Sequence, residues 1–314
     1  MRSVIIGLGV QGVKRLRIAG KDCIATVDPV NPDATFRHIE EVPLNQFDAA
    51  MVCTPDQAKL GILSYLLDNR KHVLVEKPLF ADDPSDLIRL RNLAASRQVT
   101  CYTAYNHRFE PHFMRLKQVL DTKEMGEIYT IRLFYGNGTA RLVRNSAWKD
   151  QGAGVIPDLG SHLLDTLHYW LDGPVTDCQL IQSSCFENRA PDHCLIHIPG
   201  RISIQLEMTL LSWRNHFSAD IMAEKGSLHI DSLCKWGPSR FTARYRQLPS
   251  GVPREESHTL VQPDPTWQLE YDYFLELCKQ RGTNLNTDIW INQQLQNLAK
   301  QVSNLVQSTS ETDQ

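Results

Sequence analysis

A glycine-rich turn near the start of the chain constrains the fold more than any other feature. It follows directly on the β-rich segment Ser3–Gly7 and opens a helical pattern over Gln11–Ala19. Glycines there permit a tight turn and a close approach of backbone to a pyrophosphate, which the N-terminus of the helix stabilises. The alternative is a turn whose glycines serve packing alone. We expect this GxGxxG run to contact a dinucleotide through Gly7, Leu8, Gly9, Val10, Gln11 and Gly12.

An acidic residue stands where a dinucleotide site needs one. Asp28 ends the second predicted strand, about 20 residues after Gly7, so its carboxylate can accept hydrogen bonds from an adenosine ribose. The same negative charge would repel the 2′-phosphate of NADP, and no arginine immediately follows it. The sequence therefore favours NAD over NADP as the cofactor. The alternative reading of Asp28 is an ordinary strand-end or turn residue.

The first hundred residues alternate between short β-rich runs and helical patterns. Such alternation predicts a parallel sheet with crossover helices. Between Asp28 and Asp48 the prolines Pro29, Pro32 and Pro43 interrupt the chain, so we expect the second crossover helix to be shortened or absent. The predicted strands are Ser3–Gly7, Cys23–Val27, Ala49–Cys53, His72–Val75 and Val99–Thr103, and the predicted helices are Gln11–Ala19, Gln57–Asn69 and Pro84–Ser96.

After about residue 105 the pattern changes to strands that are not separated by helices. The run 202–208 alternates apolar and polar side chains, as in a sheet with one covered face and one wet face. Helical patterns cover His112–Leu120, Asp158–Leu171, Trp267–Arg281 and Asp288–Val306. The predicted fold is thus an α/β Rossmann domain with a doubly wound parallel sheet over 1–105, followed by an α+β domain with a largely antiparallel open sheet over 106–314. We expect its polar tail, 307–314, to be frayed.

Composition excludes several other classes of protein. Lys and Arg total 33 against 36 Asp and Glu, so there is no excess positive charge for a nucleic-acid backbone. No apolar run approaches the roughly 18–20 residues that span a bilayer, and the N-terminus makes a poor secretion signal. The eight cysteines form no CxxC pair and no zinc-like spacing with histidine. We expect a cytoplasmic protein with reduced thiols, no structural metal, and neither a membrane nor a nucleic acid as partner.

Further segments, in a fixed order along the chain, resemble a known enzyme family. Thr54-Pro55 follows the third predicted strand, and 71–78 reads KHVLVEKP. The stretch 106–111 reads NHRFEP, 152–165 reads GAGVIPDLGSHLLD, and 224–228 reads EKGSL. Together with the GxGxxG run, these segments resemble the Gfo/Idh/MocA oxidoreductases, named for glucose–fructose oxidoreductase and inositol dehydrogenase. The resemblance runs from residue 1 to about residue 230.

The resemblance implies a catalytic set of Lys77, Asp158 and His162 where the nicotinamide meets the substrate. The chemistry agrees, because oxidising a secondary alcohol needs a hydride acceptor and a group that removes the hydroxyl proton. The pKa of a histidine suits that task, and a lysine can stabilise negative charge on the reacting oxygen. A helix that starts near 158 would put Asp158 and His162 on one face. The alternatives are a surface cation at Lys77, a helix N-cap at Asp158 and a structural histidine at 162.

Other candidate residues surround this set. The resemblance places Thr54, Pro55 and Glu76 with the cofactor. Asn106 and Arg108 follow the end of the predicted parallel sheet, the usual ligand side, so we expect contact with cofactor or substrate, with no contact as the alternative. Trp148 could stack on a sugar or the nicotinamide, with burial as the alternative reading. Some positions depart from the family pattern. Lys59 stands where a histidine is frequent, and Ala153 replaces the middle glycine of a three-glycine run. Lys14-Arg15 lie near another position where a histidine is common, and we predict no special role for these two residues.

The function that follows is an NAD-dependent oxidoreductase for a secondary hydroxyl or keto group of a sugar, cyclitol or nucleotide sugar. One alternative is a glycosidase that keeps NAD bound and oxidises its sugar transiently. Another is a non-catalytic regulator that senses a dinucleotide or sugar on the same fold. Because family members commonly pair through the open sheet, we also expect a homodimer or homotetramer. Its other partner would be a small, sugar-like substrate.

Overall fold

The computed structural model describes residues 1–146 and 149–312, with side chains described as far as Leu305. The chain divides into two compact units. The first comprises Met1–Phe109 and Pro265–Asn292, and the second comprises Glu110–Asp264 and Gln293–Gln314. The predicted fold class is confirmed: one unit holds a parallel sheet and the other a largely antiparallel one.

The first unit is built on a five-stranded parallel sheet in the order β2-β1-β3-β4-β5. Every residue of β1, β3 and β5 is buried, as expected where helices cover both faces of a sheet. The strands are β1 Ser3–Ile6, β2 Cys23–Val27, β3 Ala49–Val52, β4 His72–Glu76 and β5 Cys101–Ala104, and the crossover helices are α1 Val10–Ala19, α2 Asp56–Asp68 and α3 Pro84–Arg97. Asp83 caps α3, since its side chain accepts from the Ser85 N–H at 2.8 Å.

The connection between β2 and β3 lacks a crossover helix, which confirms the expectation from its prolines. Over residues 28–48, all of them described, its helical structure is one 3-10 turn, Ile39–Glu41. Phe36 forms an isolated bridge with Val27 at the sheet edge. The segment therefore passes from one strand to the other as an irregular loop.

The first unit also contains α7 (Thr266–Gln280) and the start of α8 (Leu285–Thr312). Asn284, between these helices, donates to and accepts from the backbone of Thr103 at 2.9 Å in each direction. Asn292 pairs in the same reciprocal way with the backbone of Ala81. Residues 265–292 thus belong to the first unit, whereas the sequence assigned them to the second domain, 106–314. Local patterns could not predict this, because they do not reveal contacts between residues so far apart in sequence. Helix α8 continues to Thr312, through most of the segment predicted to fray.

The second unit is built on an eight-stranded sheet in the order β13-β12-β11-β10-β6-β9-β8-β7. Its neighbours run antiparallel except β6 and β9. Sequence patterns did not predict β10 or β13; the latter is an exposed edge strand without an apolar alternation. The strands are β6 Ile128–Gly136, β7 Gln179–Ser184, β8 His193–Ile198, β9 Ser203–Thr209, β10 His216–Ala223, β11 Gly226–Asp231, β12 Ser239–Tyr245 and β13 Arg254–Leu260, with helices α4 Pro111–Thr122, α5 Ala140–Val143 and α6 Ser161–Trp170.

An aromatic cluster packs α4 and α6 onto the sheet of the second unit. The Phe113 ring lies 5.0 Å from that of Trp170 and 4.8 Å from that of Phe217, measured between centroids. Trp170 also donates from Nε1 to the Phe113 carbonyl at 3.2 Å. One face of the sheet is thereby covered. Among the described helices, none combines the length and the apolar character that a membrane span requires.

Candidate functional site

The dinucleotide turn follows β1 in a conformation that requires glycine at two positions. Gly7 has a φ of +90°, and a Cβ there would lie 2.6 Å from the Cys53 carbonyl oxygen. A Cβ at Gly12 would lie 1.8 Å from the carbonyl oxygen of Gly7. Both contacts are far inside van der Waals distance, so these glycines bring β1, β3 and α1 into close packing.

The middle glycine lies against open space instead. Gly9 is the N-cap of α1, where no side chain caps the helix, and a Cβ there would meet no described atom within 4 Å. The amides at a helix N-terminus carry partial positive charge, which favours a phosphate group. The residues of this turn therefore fit the pyrophosphate of a dinucleotide.

This contrast between the glycines predicts different outcomes for two alanine variants. We expect Gly9→Ala to keep the thermal unfolding midpoint, because the new methyl group meets no protein atom, and to lower NADH affinity by about tenfold or more, or about 1.4 kcal/mol. We expect Gly12→Ala to lower the midpoint itself. Thermal denaturation and NADH fluorescence titration measure the two effects. Unchanged NADH affinity in Gly9→Ala would contradict a pyrophosphate at this turn.

Asp28 holds the dinucleotide turn and the following loop together. Its Oδ2 accepts from the Leu8 N–H at 2.7 Å, and its Oδ1 accepts from Val30 and Asn31 at 2.9 and 2.8 Å. Partial burial raises the pKa of Asp28, but these bonds outweigh it and the net pKa is lowered. A carboxylate offers about four acceptor positions, which leaves capacity for a ribose hydroxyl. Arg37 lies nearby and donates to the Asn31 carbonyl at 2.7 Å.

Thr54 and Pro55 lie where β3 ends and α2 begins. Pro55 is the N-cap of α2. The Thr54 hydroxyl oxygen is buried and makes no hydrogen bond within the part of the chain that the structure describes. A buried hydroxyl without a partner costs free energy, so this atom fits contact with a bound polar group.

A buried ion triad lies beneath the end of β4, where sequence reasoning predicted no role for Arg15. Arg15 donates from Nε to Glu76 at 2.7 Å and from Nη2 to Glu270 at 2.6 Å. Burial alone would lower the pKa of Arg15, but Glu270 and Glu76 raise it above its ordinary value. The guanidinium also stacks over the Trp267 ring, 4.3 Å from its centroid. Glu76, predicted to contact the cofactor, is thus held by Arg15.

Lys77 follows Glu76 directly and is partly buried. The next residue, Pro78, has its carbonyl oxygen bound by Lys59 of α2 at 2.8 Å. Lys59 also donates to Asp56 at 2.7 Å. Lys59, which stands where the family pattern has a frequent histidine, therefore contacts the segment Glu76-Lys77-Pro78, the EKP segment.

Asn106 and Arg108 lie in a 3-10 turn, Asn106–Phe109, after β5. Asn106 is buried, and its Nδ2 donates to the Thr266 hydroxyl at 2.9 Å. Arg108 is partly buried. The Asn106 amide thus joins the turn to the start of α7 within the first unit.

Asp158 lies in the second unit, in a π-helical turn, Ile156–Gly160, that precedes α6. The N-cap of α6 is Gly160, so the alternative reading of Asp158 as a helix cap is wrong, and the regular α-helix begins at Ser161 rather than near 158. The preceding glycine segment is fixed against another loop. Gly154 has a φ of +55°, and a Cβ there would lie 2.1 Å from the Pro191 carbonyl oxygen.

His162 is nearly buried on the first turn of α6, with 7% of its surface exposed. Its ring stands edge-on to Tyr135 of β6 at 5.8 Å between centroids. Burial, and then the negative charge of Asp158, raise the pKa of Tyr135, so this phenol neighbours both predicted catalytic residues of the unit. Lys149 approaches Asp158 at 3.9 Å. Sequence reasoning did not identify Tyr135, and Trp148 lies outside the described residues.

Glu110, Cys234 and Asp264 place potential metal-ligand atoms within 4.8 Å of one another. The Glu110 carboxylate accepts from the Cys234 N–H at 2.6 Å and from its thiol at 3.2 Å. Burial, and then Glu110, raise the pKa of the Cys234 thiol to about 12. These contacts anchor the turn Cys234–Trp236 to the N-terminus of α4.

The predicted site residues thus fall into two groups. In the first unit, parallel strands place Gly7, Asp28, Thr54 and Lys77 just beyond their carboxyl ends, which lie along one edge of such a sheet. In the second unit, Asp158 and His162 lie in consecutive helical turns beside Tyr135.

Family models match both units. Residues 20–105 match a model described as an oxidoreductase family with an NAD-binding Rossmann fold, and residues 113–229 match the GFO/IDH/MocA C-terminal domain. An uncharacterized oxidoreductase of Schizosaccharomyces pombe is 30% identical over 38% of this chain and 33% of its own length. An inositol 2-dehydrogenase of Rhodococcus erythropolis is 24% identical over 59% of this chain and 56% of its own length. The chain thus spans only part of these curated relatives.

Solved structures share the fold over nearly the whole chain. Levoglucosan dehydrogenase in complex with NADH superposes with a TM-score of 0.78 at 14% identity, covering 96% of this chain and 97% of that one. A putative NADPH-dependent oxidoreductase from Desulfitobacterium hafniense gives a TM-score of 0.83 at 15% identity, covering 96% and 95%. At such low identity these likenesses establish the fold alone.

Proposed function

Since the chain belongs to the Gfo/Idh/MocA family of oxidoreductases and begins with an NAD-binding Rossmann domain, we propose that it transfers a hydride between nicotinamide and a sugar-like substrate. The reacting group would be a secondary hydroxyl or keto group of a sugar, cyclitol or nucleotide sugar. Relatives named inositol 2-dehydrogenase and glucose-6-phosphate 3-dehydrogenase support that class. The observation that carries the proposal is the nearly buried His162 in the helical turn after Asp158.

Each residue has a distinct role in the proposed reaction. His162 takes the hydroxyl proton, for which an imidazole pKa near neutrality is suited. Lys77 donates a hydrogen bond to the reacting oxygen, and Asp158 orients the proton-transfer group. The bound nicotinamide supplies the hydride acceptor. Gly9 and Asp28 bind the pyrophosphate and the adenosine ribose, and Thr54 is the candidate for contact on the nicotinamide side.

A titration with both nicotinamide cofactors tests the proposal first. We expect NADH to bind at least about tenfold more tightly than NADPH, a difference of about 1.4 kcal/mol, because the Asp28 carboxylate repels a 2′-phosphate. Nucleotide fluorescence with the purified protein measures both affinities, after any copurified cofactor has been released and identified. A preference for NADPH would contradict the role of Asp28. If neither nucleotide binds the cofactor-free protein, the proposed function fails.

We also propose that the protein is a homodimer or homotetramer that associates through the open face of the eight-stranded sheet. Exposed or partly exposed side chains alternate with buried ones along β9 and β10, which leaves one face accessible in the single chain. Light scattering at micromolar concentration should give at least twice the monomer mass. A monomer under those conditions would contradict this assembly.

A further inference from the structure

The tripeptide Glu76-Lys77-Pro78 is bound on both sides of Lys77 by basic side chains from different helices. On one side, Arg15 of α1 donates to the Glu76 carboxylate at 2.7 Å. On the other, Lys59 of α2 donates to the Pro78 carbonyl at 2.8 Å. The exposed fractions of the Arg15 and Lys59 side chains are 1% and 2%. The proposed reaction uses neither of them directly.

Stability alone is a weak explanation for these buried cations. Removing a charge from water costs free energy, which is offset only by close partners of opposite charge. Arg15 has Glu76 and Glu270 as such partners, and Lys59 has Asp56 at 2.7 Å. Replacing every member of a buried ion network by apolar side chains of similar volume often leaves a fold equally stable or more stable. What apolar side chains cannot do is donate hydrogen bonds to Glu76 and to the Pro78 carbonyl.

The two contacts restrict the segment that carries the lysine. Glu76 is held through its backbone by the pairing of β4 with β5 and through its carboxylate by Arg15, and Lys59 holds the Pro78 carbonyl. The backbone on either side of Lys77 is therefore restrained, and the position of its ammonium depends mainly on its own side-chain torsions. Precision matters there, because a displacement of about 1 Å in a reacting group can cost about a hundredfold in rate.

We infer that Arg15 and Lys59 are positioning residues for Lys77. This inference rests on the proposed function, in which Lys77 binds the reacting oxygen. Lys59 gives the sharper test, because its partners Asp56 and Pro78 lie outside the dinucleotide turn Gly7–Gly12, whereas Arg15 is part of α1. Loss of Lys59 should therefore affect catalysis and leave cofactor binding nearly intact.

The test compares Lys59→Met with Lys71→Met as a matched control. Lys71 also donates to backbone carbonyls of the first unit, those of Leu44 and Phe47, but it does not contact the EKP segment. With the substrate found in a sugar screen, we expect Lys59→Met to lower kcat by about a hundredfold. We expect KM and the NADH dissociation constant to stay within about threefold. The control should retain the kcat of the unchanged protein.

A second measurement follows Lys77 itself and needs no substrate. Acetic anhydride acetylates accessible lysines, and peptide mass spectrometry gives the rate at Lys77 with and without saturating NADH. We expect NADH to slow this reaction strongly in the unchanged protein and in Lys71→Met, but only weakly in Lys59→Met. If Lys59→Met does not fold, Lys59→Gln, with a shorter and uncharged side chain, takes its place. We expect the same fall in kcat and the same loss of NADH protection at Lys77.

The outcomes separate the inference from the proposed function. If NADH does not protect Lys77 in the unchanged protein, Lys77 is not at the nicotinamide site, and both proposals fail. If NADH protects Lys77 equally in the unchanged protein and in Lys59→Met, and kcat is also unchanged, only the positioning role is overturned. A parallel rise in KM and fall in NADH affinity would likewise reject positioning in favour of general disruption.

Discussion

Replacing His162 by asparagine should lower kcat by about 10²–10⁴-fold, the usual contribution of a general acid–base group. Asparagine keeps a polar side chain of similar size but cannot take the hydroxyl proton near neutral pH. NADH affinity should change little, because the residues proposed to bind the dinucleotide, Gly9, Asp28 and Thr54, do not include His162. Stopped-flow measurement of NADH formation, beside an equilibrium titration of NADH, separates the two quantities.

His168 provides the control for this variant, since it lies on the same helix outside the DxGxH pattern. His168→Asn should retain nearly full activity. If His162→Asn were as active as the unchanged protein, the proton would be removed by another group. A regulator that only senses its ligand would keep its output in both variants, so the same pair of proteins also addresses that alternative.

Replacing Arg15 by methionine should cost about 3–5 kcal/mol of unfolding free energy, as expected when one partner is removed from a buried ion network. The change leaves Glu270, whose side chain is fully buried, and Glu76, which is 12% exposed, without the cation between them. Methionine fills much of the arginine volume, so the loss reports charge rather than a cavity. Urea-induced unfolding followed by tryptophan fluorescence measures it, because Trp267 stacks on Arg15 and reports on this region.

Arg97→Met is the matched control, again an arginine of the first unit paired with a carboxylate. Arg97 lies 3.0 Å from Asp68, but the two side chains are 41% and 55% exposed. An exposed ion pair contributes only about 0–1 kcal/mol, so this variant should unfold at nearly the same urea concentration as the unchanged protein. An equal loss of unfolding free energy in Arg15→Met and Arg97→Met would contradict the importance of burial in the triad.

Local sequence signals predicted most of the architecture and the family. The family membership and the NAD-binding domain are confirmed. The glycine turn, the acid after β2 and the prolines that exclude a crossover helix each act within a short segment, so periodicity and turn chemistry suffice to place them. Strand β13 could not be found in this way, because an exposed edge strand has no apolar face to reveal it.

The parts of the site that sequence missed depend on distant contacts. The ion triad brings together Arg15, Glu76 and Glu270, and no local pattern distinguishes Arg15 from the other basic residues of α1. Tyr135 is one of several aromatic residues in strands of the second unit, and only the folded structure shows that it lies beside His162. The π-helical turn around Asp158 likewise has no local signal, because the sequence pattern there predicts a regular helix from Asp158. The roles assigned to the individual site residues remain predictions.

The loop that replaces a crossover helix after β2 limits how this chain can be engineered. Asp28 anchors Leu8 on one side and Val30 with Asn31 on the other, so one carboxylate organises both segments. Exchanging Asp28 alone to admit a phosphorylated ribose would release both segments together. A change of cofactor preference therefore requires grafting the whole loop from Asp28 to Arg37 as a unit, with new anchors for the Leu8 amide.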